Sequence, residues 1–235
     1  MLAVVIDTSS AAVTAGVVRV GRGGDGSVGT QLLGERCTVD AKAHGDLLTP
    51  SIGSALAAAG AGVGDIDAIV AGAGPGPFTV LRVGLVTAAA LADALGRPAY
   101  GVCSLDAIGA ATHGRALVAG DARRRGIYWA TYADGRRVCG PDVARPADVA
   151  ERIPTLAVTS MAGAGAVLYR NVLGLPPTGP DHPPVRQLGA LAAARMAARA
   201  PAETLVPMYL RRPDATPPAR PVAASAPGRD HPGAR

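Results

Sequence analysis

The spacing of apolar positions along this chain changes several times, and each change predicts an element. Residues 2–7 (LAVVID) are apolar almost without a break and end on an acid, which reads as a buried strand followed by the polar turn Asp7-Thr8-Ser9-Ser10. Residues 12–20 and 31–38 predict two further strands, joined by the flexible, glycine-rich stretch 21–29. From His44 the period becomes helical: Leu48, Ile52, Ala55, Leu56 and Ala59 recur on one face, and Gly60 closes the run. Thr49-Pro50 fits either the N-cap and first residue of that helix or a bend in one that starts near Asp46. A short strand over 69–71 then passes through Gly72, Gly74, Pro75, Gly76 and Pro77 into a helix capped by Thr79, which ends at Gly96-Arg97-Pro98. Residues 99–102 predict one more strand.

The pattern then restarts. A helix over 104–112 leads to strands at 116–121, 127–133 and 137–139, a helix at 147–153, a strand at 156–159 and a helix at 163–173. Residues 176–184 are a proline-rich linker, 187–199 an alanine-rich helix, and 208–212 a short ordered end. Two successive strand-strand-strand-helix-strand-helix runs of about one hundred residues each predict a duplicated α/β architecture, although the two sequences do not match. The expected division is 1–103 and 104–212, with the 187–199 helix a candidate to pack back on the first half. From residue 213 the Pro/Ala/Arg composition cannot build a core and predicts disorder.

The helix over 79–95 is the most informative stretch, because its only charged side chains are Arg82 and Asp93. It is short for a membrane span and lacks the polar face of an ordinary surface helix. It is therefore either wholly core or, the favoured reading, a helix that covers a sheet with one face and meets a partner with another. Composition adds bounds. Cys37, Cys103 and Cys139 are odd in number and widely spaced, which fits reduced, mostly buried thiols in a cytoplasmic protein rather than a disulfide framework or a zinc site. Met1 leads directly into a strand, with no signal pattern. Of the net charge of +5, the segment from Arg211 onward holds +3, so the basic pI does not by itself argue for a nucleic-acid surface.

This chain resembles the bacterial TsaB (YeaZ) family of the actin/Hsp70/sugar-kinase superfamily. The residues that carry the likeness are Ile6-Asp7-Thr8-Ser9; His44 with Leu47, Leu48 and Pro50; Gly74 through Leu85; Asp121-Ala122-Arg123-Arg124 with Tyr128-Trp129-Ala130; and Pro207 through Arg211. Pro77 and Val80 stand where the family usually has Ser and Gly, and Gly126 where an acid is common. The resemblance implies ribonuclease H-like halves, each a mixed five-stranded sheet with helices. It also implies a cytoplasmic, non-catalytic subunit in the making of threonylcarbamoyladenosine at position 37 of ANN-decoding tRNAs. Its implied partners are the catalytic paralogue TsaD in a heterodimer, the ATPase TsaE in the larger assembly and a second copy when alone. TsaC supplies the threonylcarbamoyl-adenylate, tRNA is met only through the complex, and no membrane is involved. The implied interface lies on the two N-terminal helices, at His44, Leu48, Ile52, Leu56, Arg82, Leu85, Ala88 and Ala89.

A residue-level reading of the chemistry agrees with loss of catalysis. Active members of the superfamily grip phosphate with two glycine-bearing hairpin turns, whereas here the first is Asp7-Thr8-Ser9-Ser10 and the second carries Arg123-Arg124-Arg125. Asp7, Thr8 and Ser9 are weak cofactor candidates; an acid satisfying turn amides is the stronger reading of Asp7. The glycines after residue 71 match neither a dinucleotide fingerprint nor a P-loop, and Pro75 and Pro77 remove amide donors. The paralogue's metal-binding histidine pair is missing, since positions 40 and 48 are Asp40 and Leu48, so no metal or other cofactor is expected and His44 reads as solvated or capping. No motif places a histidine beside Ser9 or Ser10 to make a hydrolase. The three arginines read as a solvated turn for want of an aromatic platform, and Gly163-Ala164-Gly165 as a packing feature rather than an anion site. The alternative function is a nucleotide-dependent carbamoyl- or phosphotransferase with a degenerate site.

Overall fold

A computed structural model describes residues 1–211. β1 (Leu2–Asp7) is buried on both faces because it runs antiparallel to β2 (Ala12–Arg22) on one side and parallel to β4 (Ala68–Gly72) on the other. β3 (Val28–Val39) extends the sheet beyond β2, and β5 (Ala99–Val102) extends it beyond β4, giving the order β3-β2-β1-β4-β5. The β2–β3 hairpin is longer than the sequence predicts, with only residues 23–27 outside the ladder. Alternation divides β1 between two cores. Val4 and Ile6 face α1 (His44–Ala58) and α2 (Phe78–Leu95), while Ala3 and Val5 face the alanine-rich helix that follows the second half.

Helix boundaries correct two expectations. α1 begins at His44, with Pro50 inside it and exposed, so the carbonyl that loses its partner can be met by water. α2 begins at Phe78, not at a Thr79 cap: Pro77, extended at φ −60°, sets the first turn, and Gly96 ends the helix at φ +60°. By length and apolar composition α2 is, among the described residues, one helix that would suffice to cross a membrane. Here its inner side, Leu81, Leu85 and Ala88, is packed into the first core.

α3 (Ser104–Gly109) leads to a second sheet of β6 (Arg115–Asp121), β7 (Ile127–Ala133), β8 (Arg136–Ala144) and β9 (Ser160–Ala162), in the order β8-β7-β6-β9. The order repeats that of the first sheet as far as it goes, which is the duplication expected of an actin/sugar-kinase-like fold. Among the described residues the second sheet has four strands, not five. Where a fifth would lie, residues 176–180 bridge β9 through Met161 N–H to Pro176 O (3.0 Å) and Thr178 N–H to Met161 O (2.7 Å). Pro176, Pro177 and Pro180 have no N–H with which to continue a ladder. The helix expected over 147–153 is α4 (Pro146–Leu156), which displaces the following strand to 160–162. The helix expected over 163–173 is α5 (Ala164–Leu168) and α6 (Arg170–Leu173), broken at Tyr169.

α7 (Val185–Ala197) returns to the first sheet, where Val185, Leu188, Ala192 and Met196 fill the second core with Val5, Val18 and Val70. The chain then runs extended across both halves. Glu203 N–H bonds to Ala99 O (3.0 Å), Met208 N–H to Ala73 O (2.7 Å), and Arg211 Nη1 to Ala122 O (2.9 Å). The segment expected to be disordered, 213–235, lies outside the described residues.

Candidate functional site

The first hairpin turn sits where β1 meets the loop between β4 and α2, and all of its side chains are engaged by the protein. Asp7, 1% exposed, accepts Ser9 N–H (2.9 Å) and Ser9 Oγ–H (2.8 Å) on Oδ1, and Ser104 Oγ–H (2.5 Å) on Oδ2. Burial pushes its carboxyl above the ordinary carboxylate range, and the hydrogen bonds from Ser104 and Ser9 offset part of that rise. The expected reading of Asp7, an acid serving its own turn, is the observed one. The space beside it is closed: a Cβ at Gly72 would lie 1.7 Å from Asp7 Oδ2.

Thr8 has a role that its turn position alone does not predict. Its Oγ1 donates to Val80 O (2.6 Å) and accepts Gly84 N–H (2.9 Å). Val80 and Gly84 are an i, i+4 pair of α2, so the hydroxyl is inserted into the helix ladder and stitches the turn to the helix. Gly84 is required there, because a Cβ would stand 2.5 Å from Thr8 Oγ1. Ser9 is covered in turn by Gly76, whose missing Cβ would meet the Ser9 carbonyl oxygen at 2.3 Å.

Ser10 and His44 complete the turn. His44 is buried rather than solvated: Nε2–H donates to Ser10 O (2.9 Å), and Nδ1 is buried without a hydrogen-bond partner. Ser10 Oγ accepts Ala12 N–H (3.1 Å), leaving its proton for Nδ1 of His182 at 3.1 Å. The proline-rich linker thus brings a histidine to Ser10, which no motif foretold. Burial lowers the pKa of His182, keeping the ring neutral, while Asp181 and Asp7 act in the opposite sense. Ser10, with Asp181 and Pro183 on either side of that histidine, lines a cleft of only about 60 Å³, bounded also by Pro75, Ser104, Asp121, Arg123 and Tyr128. Ligand pockets run to roughly 300–1,000 Å³, so the space beside Ser10 is several-fold smaller than a nucleotide or peptide site.

The second turn is built differently. Arg123, Arg124 and Arg125 are exposed and have φ of +59°, +48° and +59°, the left-handed region that glycine would occupy without strain. Asp121 Oδ1 accepts Arg123 N–H (2.8 Å), and Ala122 N–H closes on Gly126 O (3.0 Å). Beneath it Gly165 packs on Gly120, where a Cβ would come within 2.5 Å of the Gly120 carbonyl carbon, so the glycines of 163–165 are a packing feature. Among the described residues no group of three His, Cys, Asp or Glu could hold a metal ion. Cys37 is exposed, contrary to expectation, whereas Cys103 is half-buried with its thiol pushed up to about 11 by burial.

The residues expected at a partner interface divide sharply. His44, Leu48, Leu56, Leu85 and Ala88 are at most 6% exposed and spend most of their surface on contacts within the chain, although Leu85 also borders the groove beside α2. An apolar helical face announces burial, and here it is burial against the chain's own sheet. Ile52 is half-buried, and Arg82 and Ala89 are exposed. The outward face of α2 consists of Arg82, Val86 (65% exposed), Ala89 and Asp93, and that of α1 of Gly53, Ser54 and Ala57. Between α2 and the extended 202–207 segment runs an open groove of about 730 Å³ whose walls include Leu85, Val86, Ala89, Ala92 and Leu205.

Known proteins share this architecture. The family described as tRNA N6-adenosine threonylcarbamoyltransferase (TsaD) matches residues 36–167. An uncharacterised protein of Mycobacterium tuberculosis is 51% identical over 212 residues, which cover 90% of this chain and 92% of that one. Among solved structures, an uncharacterised protein with similarity to peptidase YEAZ from Pseudomonas aeruginosa superposes with a TM-score of 0.70 at 28% identity, covering 89% of this chain and 99% of that one. YeaZ from the same organism superposes at 0.66 with 25% identity, covering 89% and 100%.

Proposed function

The chain belongs to the tRNA N6-adenosine threonylcarbamoyltransferase family, within its TsaB (YeaZ) branch, and from that premise we propose that it is a non-catalytic subunit that pairs with TsaD in cytoplasmic tRNA modification. The observation that carries the non-catalytic reading is the first turn, whose hydroxyls and carboxylate are all turned into the protein, onto Val80, Gly84, Ser104 and His182. A phosphate brought to this turn would have to displace Gly76 from Ser9. The docking surface in this reading is the outer face of α2 with the groove beside it, flanked by the small residues of α1.

Two measurements test the proposal. Calorimetric titration with ATP and magnesium should give no binding heat; a tight complex whose loss follows Asp7→Ala would favour the nucleotide-dependent transferase instead. Mixing the chain with TsaD of the same organism should yield a heterodimer. Ala89→Glu should weaken it at least tenfold by burying an unpaired charge, with the melting temperature of the isolated chain unchanged. Undiminished pairing of that variant would place the interface elsewhere.

A further inference from the structure

The second hairpin turn is not used by this reading, and the fold sets it beside aromatic rings far away in sequence. Phe78, the chain's one phenylalanine, stacks on Tyr209 with centroids 4.8 Å apart, and the Arg82 guanidinium lies 3.9 Å over the Phe78 ring while its Nε donates to Tyr209 Oη (3.0 Å). Phe78 and Tyr209 remain 37% and 36% exposed, beside a shallow surface depression of about 350 Å³ lined by Phe78, Thr79, Arg82, Val83 and Val86. Two residues past Tyr209, Arg211 binds the carbonyls of Ala122 and Arg123 (2.9 and 3.3 Å), which ties the aromatic pair to the arginine turn. One edge therefore carries five guanidinium groups and a stacked aromatic pair, with Arg123–Asp121 at 3.8 Å as an ion pair within it. In a body close to neutral overall, that is a concentration of positive charge.

We propose that this edge, from Phe78 and Tyr209 to Arg123, Arg124 and Arg125, is a direct RNA-binding surface, the arginines meeting phosphates and the aromatic–guanidinium cluster stacking on an unpaired base. The inference rests on the tRNA-modification reading and sharpens it, because there RNA was met only through the partner. Stacking platforms interleaved with arginine suit unpaired RNA bases, which a duplex keeps covered. The three arginines keep a left-handed backbone that glycine would hold more cheaply, so their side chains are retained at a conformational cost. The edge meets the proposed protein interface at Arg82 and Val86, while the arginine turn lies outside the groove, which runs on past Ala89 toward Gly96. A partner docked there leaves the turn free to extend the complex's hold on the same RNA.

The test is fluorescence anisotropy of a labelled, unmodified tRNA transcript with the full-length chain over a salt series. The combined variant Arg123→Asn, Arg124→Gly and Arg125→Asn, chosen because Asn and Gly tolerate positive φ, should raise Kd at least tenfold. It should also flatten the log Kd against log salt slope by roughly 2, at about 0.7–0.9 per lost phosphate contact. Tyr209→Leu should raise Kd several-fold with the slope unchanged. The arginine-turn variant should pair normally with TsaD, whereas Ala89→Glu should lose TsaD and still bind RNA, so this proposal and the previous one fail separately. Unaltered RNA binding in both edge variants, equal competition by duplex DNA, or binding to phosphatidylglycerol vesicles in place of tRNA would each overturn it.

Discussion

The two hairpin turns occupy equivalent places, β1–β2 in one half and β6–β7 in the other, yet they have gone opposite ways. The first is buried, its polar atoms are paired with the protein, and it is locked to α2 by Thr8 and to the linker by Ser10 and His182. The second is exposed, strained at three consecutive residues and positively charged. The two halves of a duplicated fold can diverge in this way: one turn is part of the core and the other part of the surface. Substitutions should therefore cost stability in the first and almost none in the second.

The largest expected effect comes from Gly72→Ala, which would drive a methyl into Asp7 and break its bonds to Ser9 and Ser104. Chemical denaturation should report a loss of about 3 kcal/mol or more. Thr8→Val keeps the shape but leaves Val80 O and Gly84 N–H facing a methyl, and should cost about 2 kcal/mol. A loss of less than a few tenths would show that α2 closes its own ladder and that the stitch is dispensable.

Acid sharpens the comparison next. Burial lowers the pKa of His182, so between that value and an unfolded value of about 6.5 the unfolded chain holds more protons. Stability should be complete above about pH 6.5 and fall as the pH drops through that window, and His182→Gln should flatten the fall. The smallest effect belongs to the second turn. Arg125→Gly removes left-handed strain but adds freedom to the unfolded chain, so it should leave stability within about 0.5 kcal/mol of the parent or slightly above it. A clear destabilisation would mean that the arginine side chain holds the turn.

The first turn also separates what the sequence discloses from what it conceals. β1 is legible because strands on both sides make LAVVID apolar throughout, and the restart of the pattern near residue 104 discloses the duplication. The face of α2 is not legible. A helix apolar nearly all round says that much is buried without saying against what, so Leu85 and Ala88 read as interface although they pack on the sheet. Gly84 was the available signal, since a glycine in mid-helix marks a close approach, here by Thr8. Ser10 and His182 are 172 residues apart, joined only through a linker whose path no local pattern records. The missing fifth strand, by contrast, was already written in Pro176, Pro177 and Pro180.

Thr8 inserted into the α2 ladder has a consequence for how this sequence can drift. Positions 8 and 84 hold each other hostage: while the hydroxyl is present, any side chain at 84 collides with it, and without the hydroxyl the glycine is only a weak point in a helix. A lineage can leave this state through position 8 first and position 84 second, since the reverse order passes through a clash. Among relatives, an alanine at 84 should therefore be found only where the threonine at 8 has already gone, a pattern of paired change that a comparison of sequences can read without any measurement on the protein.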